Sequence, residues 1–179
     1  MKSYKNLKQI SDEVFQVQQD RLNLSQDDII KLVQLAEGVD RQRVRFCGHQ
    51  SRLDRTHEMF IVHPKGAYVR PHKHVGKSES ILILEGRAKY FVFDEDGRTD
   101  RIVDMGNLAS GKTFYQKIGE NTFHTFLIHS EWLVFLEITS GPFFEEDTIF
   151  APWSPDSGMA KAVDKFLERL AATGQAIPV

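Results

Sequence analysis

Only one of the 179 residues, Cys47, is a cysteine, so no intramolecular disulfide can form and a disulfide-stapled extracellular scaffold is excluded. No apolar run approaches the roughly 18 residues of a membrane-spanning helix. Met1 to Lys8 carries basic side chains with no apolar stretch behind them, unlike a secretory signal, and the expectation is a cytoplasmic protein without a membrane partner. Basic excess is also missing. The 23 Lys and Arg stand against 25 Asp and Glu, a formal net charge of -2, which argues against nucleic acid as a partner. Internal repeats and low-complexity linkers are lacking, and the length suits one domain.

What the chain does have is aromatic and imidazole side chains, 13 Phe and 7 His, unevenly spread. Glu13 to Gln19 reads as a short edge strand. Ser25 reads as a helix N-cap, with Asp27 and Asp28 at the positive end of the helix dipole and Gly38 as the stop. The basic, alternating stretch Arg41 to Arg52 is either a solvated strand or a source of Arg43, Arg45 or His49 for an anionic ligand. From Glu58 onward, short apolar and β-branched runs alternate with Gly, Asp and Asn turns as far as Ile138, and little helix lies between them. That pattern predicts a mainly β protein, an antiparallel barrel or jelly roll. Phe143, Phe144, Phe150 and Trp153, set among prolines, read as a segment laid over the barrel surface or rim. Ser157 is expected to cap a final helix whose stripe is Met159, Val163, Phe166, Leu167 and Leu170. The expected organisation is an N-terminal extension with one packing helix (1–55), the barrel (56–140), and the aromatic segment with an amphipathic C-terminal helix (141–179). That last stretch leaves a homodimer open.

The chemistry concentrates in Gly66 to Gly86. His72 and His74, two residues apart, share one face of a strand, so both imidazoles can turn to one point. After the polar loop Val75 to Ser78, Glu79 begins the next apolar strand and can approach the same point. His124, on a later β-run behind the turn at Gly119 to Asn121, completes a set of three imidazoles and one carboxylate. Such a set suits one divalent transition metal, Zn, Fe, Mn, Ni or Cu, with positions left open for catalysis. His57, His63 and His129 lack such spacing and are read as surface or hydrogen-bonded residues.

Gly66, His72, His74, Glu79 and Gly86 match every fixed position of the first motif of the cupin superfamily. Gly119 to His124 resembles its second motif, with Gly119 in place of the proline, Asn121 in place of the glycine and Ile128 in place of the later asparagine. Asn tolerates the left-handed backbone the turn needs. More narrowly, Tyr68-Val-Arg-Pro-His-Lys-His74, Lys77-Ser-Glu-Ser80, Phe93-Asp-Glu-Asp-Gly97 and Phe150-Ala-Pro-Trp-Ser154 resemble the WbuC family of cupin-fold metalloproteins, as does Arg45 to His49. The resemblance implies a single cupin barrel with His72, His74, Glu79 and His124 as metal ligands, and an association with bacterial surface polysaccharide.

Alternation along the strands places Tyr68 and Arg70 on the face of His72 and His74, and Phe126 on that of His124. With His49, these are the expected substrate-side residues; for Arg70 a structural ion pair is an equal alternative. A small sugar-like, carbonyl or anionic ligand fits such a mixed wall. Three functions remain open on the sequence: a Lewis-acid enzyme acting on a sugar-like or carbonyl compound, an Fe-dependent dioxygenase, and a non-catalytic ligand-binding or regulatory protein. No inward base stands out, since Glu79 is taken by the metal and only His49 is a candidate.

Overall fold

The computed structural model describes residues 6–19 and 21–173. Met1 to Lys5, the start of the stretch read for a leader, lies outside the described residues. None of the described helices is long and apolar enough to cross a membrane.

Among the described residues, twelve strands form two sheets. The first contains β1 (Leu7–Ser11), β2 (Val14–Val17), β3 (Val44–Cys47), β4 (Thr56–Pro64), β6 (Glu79–Glu85), β9 (Tyr115–Ile118) and β11 (Trp132–Ser140), in the order β1-β2-β3-β4-β11-β6-β9. The second contains β5 (His72–His74), β7 (Arg87–Phe93), β8 (Thr99–Gly106), β10 (Phe123–Ile128) and β12 (Thr148–Phe150), in the order β12-β5-β10-β7-β8. From β4 to β12 the chain alternates between the sheets except at the β7–β8 hairpin, and the two sheets close on one another as a jelly roll with a C-terminal helix, the mainly β architecture expected.

Period-two alternation sorts the apolar residues into three layers. Met59 and Ile61 of β4, Ile81 and Ile83 of β6, Tyr90 of β7, Phe126 of β10 and Phe135 of β11 meet between the sheets. The opposite face of the first sheet (Val44, Phe46, Val62, Val134) is covered by Leu32 and Ala36 of helix α1 (Gln26–Glu37). The opposite face of the second (Phe91, Phe93, Phe123, Leu127) is covered by Phe166 and Leu170 of helix α2 (Ala160–Thr173). Each fully buried side chain of this size contributes about 1.5–3 kcal/mol, so both helices are held by tertiary burial rather than by propensity.

Helix α1 begins as its sequence predicts. The Ser25 amide and hydroxyl both donate to the Asp28 carboxylate, at 2.9 and 2.6 Å. Helix α2 does not: it starts at Ala160, past Ser157. Asp156 closes the turn before it, accepting the Gly158 amide on its side chain at 3.1 Å and the Met159 amide on its carbonyl at 2.9 Å, and the Met159 carbonyl accepts the first helical amides. Met159 is consequently exposed, while Val163, Phe166 and Leu170 form the buried stripe. The strand expected within Glu13 to Gln19 is present as β2, but it is not an edge. It lies between β1 and β3, pairing parallel with β3, and β1 forms the edge. The aromatic segment runs along the rim: β12 pairs with β5, and Trp153 packs on Phe93 with ring centroids 5.0 Å apart.

Candidate metal centre

Four side chains from three strands and both sheets converge at one end of the barrel. His72 and His74 occupy the two ends of β5, on one face of it. His124 of β10 is the register partner of His72. Glu79 opens β6 in the facing sheet. The connecting turns depend on left-handed backbone, with Gly76 at φ 66° and Asn121 at φ 60°. Asn121 is the residue that replaces a motif glycine, and its amide donates to the His74 carbonyl at 2.8 Å, tying the two ligand-bearing loops together.

The ligating atoms of His72, His74, Glu79 and His124 all lie within 4.8 Å of one another. His74 Nε2 is 3.0 Å from Glu79 Oε2, and His124 Nε2 is 3.6 Å from Glu79 Oε1. Two rings have their tautomer fixed in the same way. The Nδ1–H of His72 donates to the Arg70 carbonyl, and that of His124 to the Thr122 carbonyl, each at 2.9 Å. That leaves each Nε2 lone pair for the shared point, the arrangement metal-bound histidines use. His124 Nε2 is buried and has no hydrogen-bond partner among the described residues. A buried imidazole nitrogen without a partner is costly, and a divalent cation at the shared point would satisfy it. Three imidazole nitrogens and one carboxylate therefore fit a first-row divalent metal.

Electrostatics agree with this assignment. Burial alone would raise the Glu79 carboxyl, yet His124, His74 and His72 around it hold it well below the usual carboxylate range. Burial, with His124 close by, pushes His72 down to about 3, so its ring is neutral at pH 7. Burial also lowers His124, but the Glu79 charge more than offsets it and the net direction is upward. A neutral ring and an ionised carboxylate are the ligating forms, which His72 and Glu79 already have, whereas His124 would give up a proton to a metal.

His72 and His74 open onto a cavity of about 610 Å³, which Arg45 and Cys47 of β3, His57 and Met59 of β4, and Glu137 and Thr139 of β11 also line. Strand register explains Glu137. Thr139 pairs with Glu79 and Glu137 with Ile81, so Glu137 faces inward one row deeper than the metal ligands. Burial, reinforced by the Glu79 charge, raises its carboxyl well above the usual range. Reading Trp132 to Ile138 as one apolar strand missed it; alternation from Leu133 and Phe135 would have found it. Tyr90, stacked on His124 with centroids 5.5 Å apart, has a buried hydroxyl without a hydrogen-bond partner among the described residues.

Of the expected substrate-side residues, His49 lines this cavity. It stacks on His57 at 4.0 Å, and burial lowers both rings. His57, read from sequence as outside the site, is thus part of the cavity wall. Phe126 lies in the barrel interior against Tyr90 and Phe135, with centroids 5.0 and 5.2 Å away. Tyr68 and Arg70 are placed elsewhere. The Tyr68 hydroxyl donates to the Pro155 carbonyl at 2.8 Å, and its ring meets Phe166 on the α2 side. Arg70 pairs with Asp156 at 2.9 Å and lies over the Phe150 ring, beside a second hollow of about 500 Å³ that His72 also borders. β5 is only three residues long, so the alternation that would carry Tyr68 and Arg70 to the face of His72 stops before it reaches them.

Residues 24–105 match a family model described as a domain of unknown function (DUF6016). No curated protein matches the chain. Among solved structures, the chain is similar to oxalate decarboxylase from Bacillus subtilis, with 20% identity over 66% of this chain and 30% of that one, at a TM-score of 0.46. It is also similar to the capsular polysaccharide assembling protein CapF from Staphylococcus aureus (18% identity, 63% and 32% of the two chains, TM-score 0.48). The third is the coconut allergen cocosin (18%, 49% and 22%, TM-score 0.41). The chain spans less than a third of the length of each of these proteins.

Proposed function

We propose that this chain is a metal-binding cupin of the WbuC type that holds one divalent transition metal on His72, His74, Glu79 and His124 and acts on a small oxygen-rich compound, sugar-like or carbonyl-bearing, of the kind handled in surface-polysaccharide metabolism. The observation that carries the reading is the convergence of those four ligating atoms within 4.8 Å at the edge of a 610 Å³ cavity. Ligands on one side and open space on the other describe a centre with free coordination positions, in contrast to a closed structural site. A metal bound there supplies Lewis acidity toward a hydroxyl or carbonyl oxygen.

The protein's own residues do the rest. Arg70 and Thr122 carbonyls orient the His72 and His124 rings. Met59, Ile61 and Phe143 give the cavity wall apolar surface, beside which a polar contact is stronger than in water. Glu137 supplies the inward-facing carboxyl that the sequence did not reveal, within the same cavity as the ligand histidines.

The test is turnover by the protein loaded in turn with Zn, Mn, Ni and Fe(II), against aldoses, ketoses and sugar nucleotides, with oxygen uptake followed for the iron form. Epimerised or isomerised product without oxygen consumption is the expected result. Oxygen uptake coupled to substrate loss would establish the dioxygenase instead. Tight binding with no turnover under every metal would establish a ligand-binding protein.

A further inference from the structure

Six carboxylate, guanidinium or ammonium side chains line the cavity: Arg45, Arg52, Lys77, Glu137, Glu145 and Asp147. Four of them are paired. Arg52 contacts Glu145 at 3.1 Å and Lys77 contacts Asp147 at 2.6 Å. Arg45 and Glu137 are left. Arg45 has only the Met59 sulfur, at 3.8 Å, as a side-chain partner, and no carboxylate within ion-pair distance among the described residues. Its neighbour Arg43, by contrast, is taken by Glu13 at 3.1 Å. Glu137 has neither a hydrogen bond nor an ion pair among the described residues, although it stands in a mostly apolar barrel.

Strand register orders these groups. Glu79 pairs with Thr139, Glu137 with Met59 and Ile81, and Arg45 with Ile61, which pairs with Phe135. Along the inner face of the first sheet the rows therefore run from metal ligand, to free carboxyl, to free guanidinium. An unpaired carboxyl is tolerable in such a place when it is neutral or when a ligand satisfies it. Arg45 is solvent-exposed on the wall of the same cavity, where its guanidinium offers a fork for a carboxylate.

We infer that the cavity takes a hydroxy acid of about sugar size, with one of its oxygens at the metal end, a hydroxyl hydrogen-bonded to Glu137, and its carboxylate on Arg45. This names the substrate class of the proposed metal site and rests on that reading. Glu137 acts here as the hydrogen-bond partner of that hydroxyl, a part its place on the cavity wall one row from the ligand row gives it. The specificity comes from Arg45. A neutral sugar would leave that guanidinium as it is now, whereas the acid gains a charge-assisted contact.

The experiment is calorimetric titration of the metal-loaded protein with D-glucuronate, its methyl ester and D-glucose, with metal content measured on every sample. D-glucuronate should bind about tenfold or more tightly than the ester or glucose. Arg45→Met should abolish that preference, lowering glucuronate affinity about tenfold while changing the ester by less than about threefold. Glu137→Gln, which keeps a hydrogen-bonding group of the same shape, should retain glucuronate binding within about threefold, and Glu137→Ala should lose it. Equal affinity for acid and ester, no binding by either, or a preference that survives Arg45→Met overturns the inference. If one metal per chain is still found in those samples, the metal centre stands and only the ligand class falls. Samples that take up no metal sink the reading beneath it.

Discussion

His124 is the register partner of His72, the one residue pair that joins β10 to β5, and their rings lie 4.6 Å apart. A single backbone pairing thus sets two of the four candidate ligands side by side. Each ring is oriented by the carbonyl two residues before it, so the same short-range rule prepares both.

If a metal satisfies these groups, its removal must weaken the fold. A ligand that binds only the native state stabilises it by mass action, and stripping it leaves His124 Nε2 buried without a hydrogen bond, with only Glu79 Oε1 at 3.6 Å beside it. Chelation should lower the melting temperature by about 5 °C or more, and equimolar Zn²⁺ should restore it. A melting temperature indifferent to chelator would count against the centre.

His63 offers a pH prediction remote from the ligands. Burial, with Arg43 and Arg45 nearby, lowers its ring from 6.5 to about 4. In the unfolded chain the ring takes up a proton near pH 6.5, while in the fold it stays neutral until about pH 4. The unfolded state therefore binds more protons across that window. His63 contributes its stability fully above pH 6.5 and loses it as the pH falls toward 4, by at most about 3 kcal/mol. The urea midpoint of the wild type should fall from pH 7 to pH 5 more steeply than that of His63→Gln; parallel profiles would refute the assignment.

Gly86, which closes the ligand-bearing segment, has φ 89°, and a Cβ there would come 2.1 Å from the Trp132 carbonyl oxygen. Left-handed strain and backbone overlap add. Gly86→Ala should cost about 2–4 kcal/mol by urea unfolding, and a loss below about 1 kcal/mol would mean that the turn relaxes freely.

Tyr68 and Phe166 belong to the contact between α2 and the second sheet. Phe166→Ala should cost about 3–4 kcal/mol through the cavity it leaves, and Tyr68→Phe about 1 kcal/mol through the lost bond to Pro155. Metal content should be unchanged in both. Loss of metal in Tyr68→Phe would return that residue to the site.

The parts of this molecule legible in the sequence are those governed by local periodicity. His72 and His74 share a face because strand geometry demands it, Asn121 takes the left-handed turn that its side chain tolerates, and Ser25 with Asp28 starts α1. What was not legible depends on where a period begins and ends. Alternation carried back from His72 implied Tyr68 and Arg70 in the site, but the chain before Pro71 is not a strand, and both residues instead fasten the C-terminal segment. Glu137 and His57 escape a reading of local period for the complementary reason. Each is one polar residue on a strand otherwise read as apolar or as surface, and its inward direction follows only from pairing with a partner distant in sequence.

The most direct measurement is the metal content per chain of the purified wild type and of single alanine variants. The account predicts close to one divalent transition metal per wild-type chain, near-complete loss in His72→Ala, His74→Ala and His124→Ala, and full retention in His129→Ala, whose side chain is outside the cluster. Equal metal in all four variants, or none in the wild type after reconstitution, would contradict it.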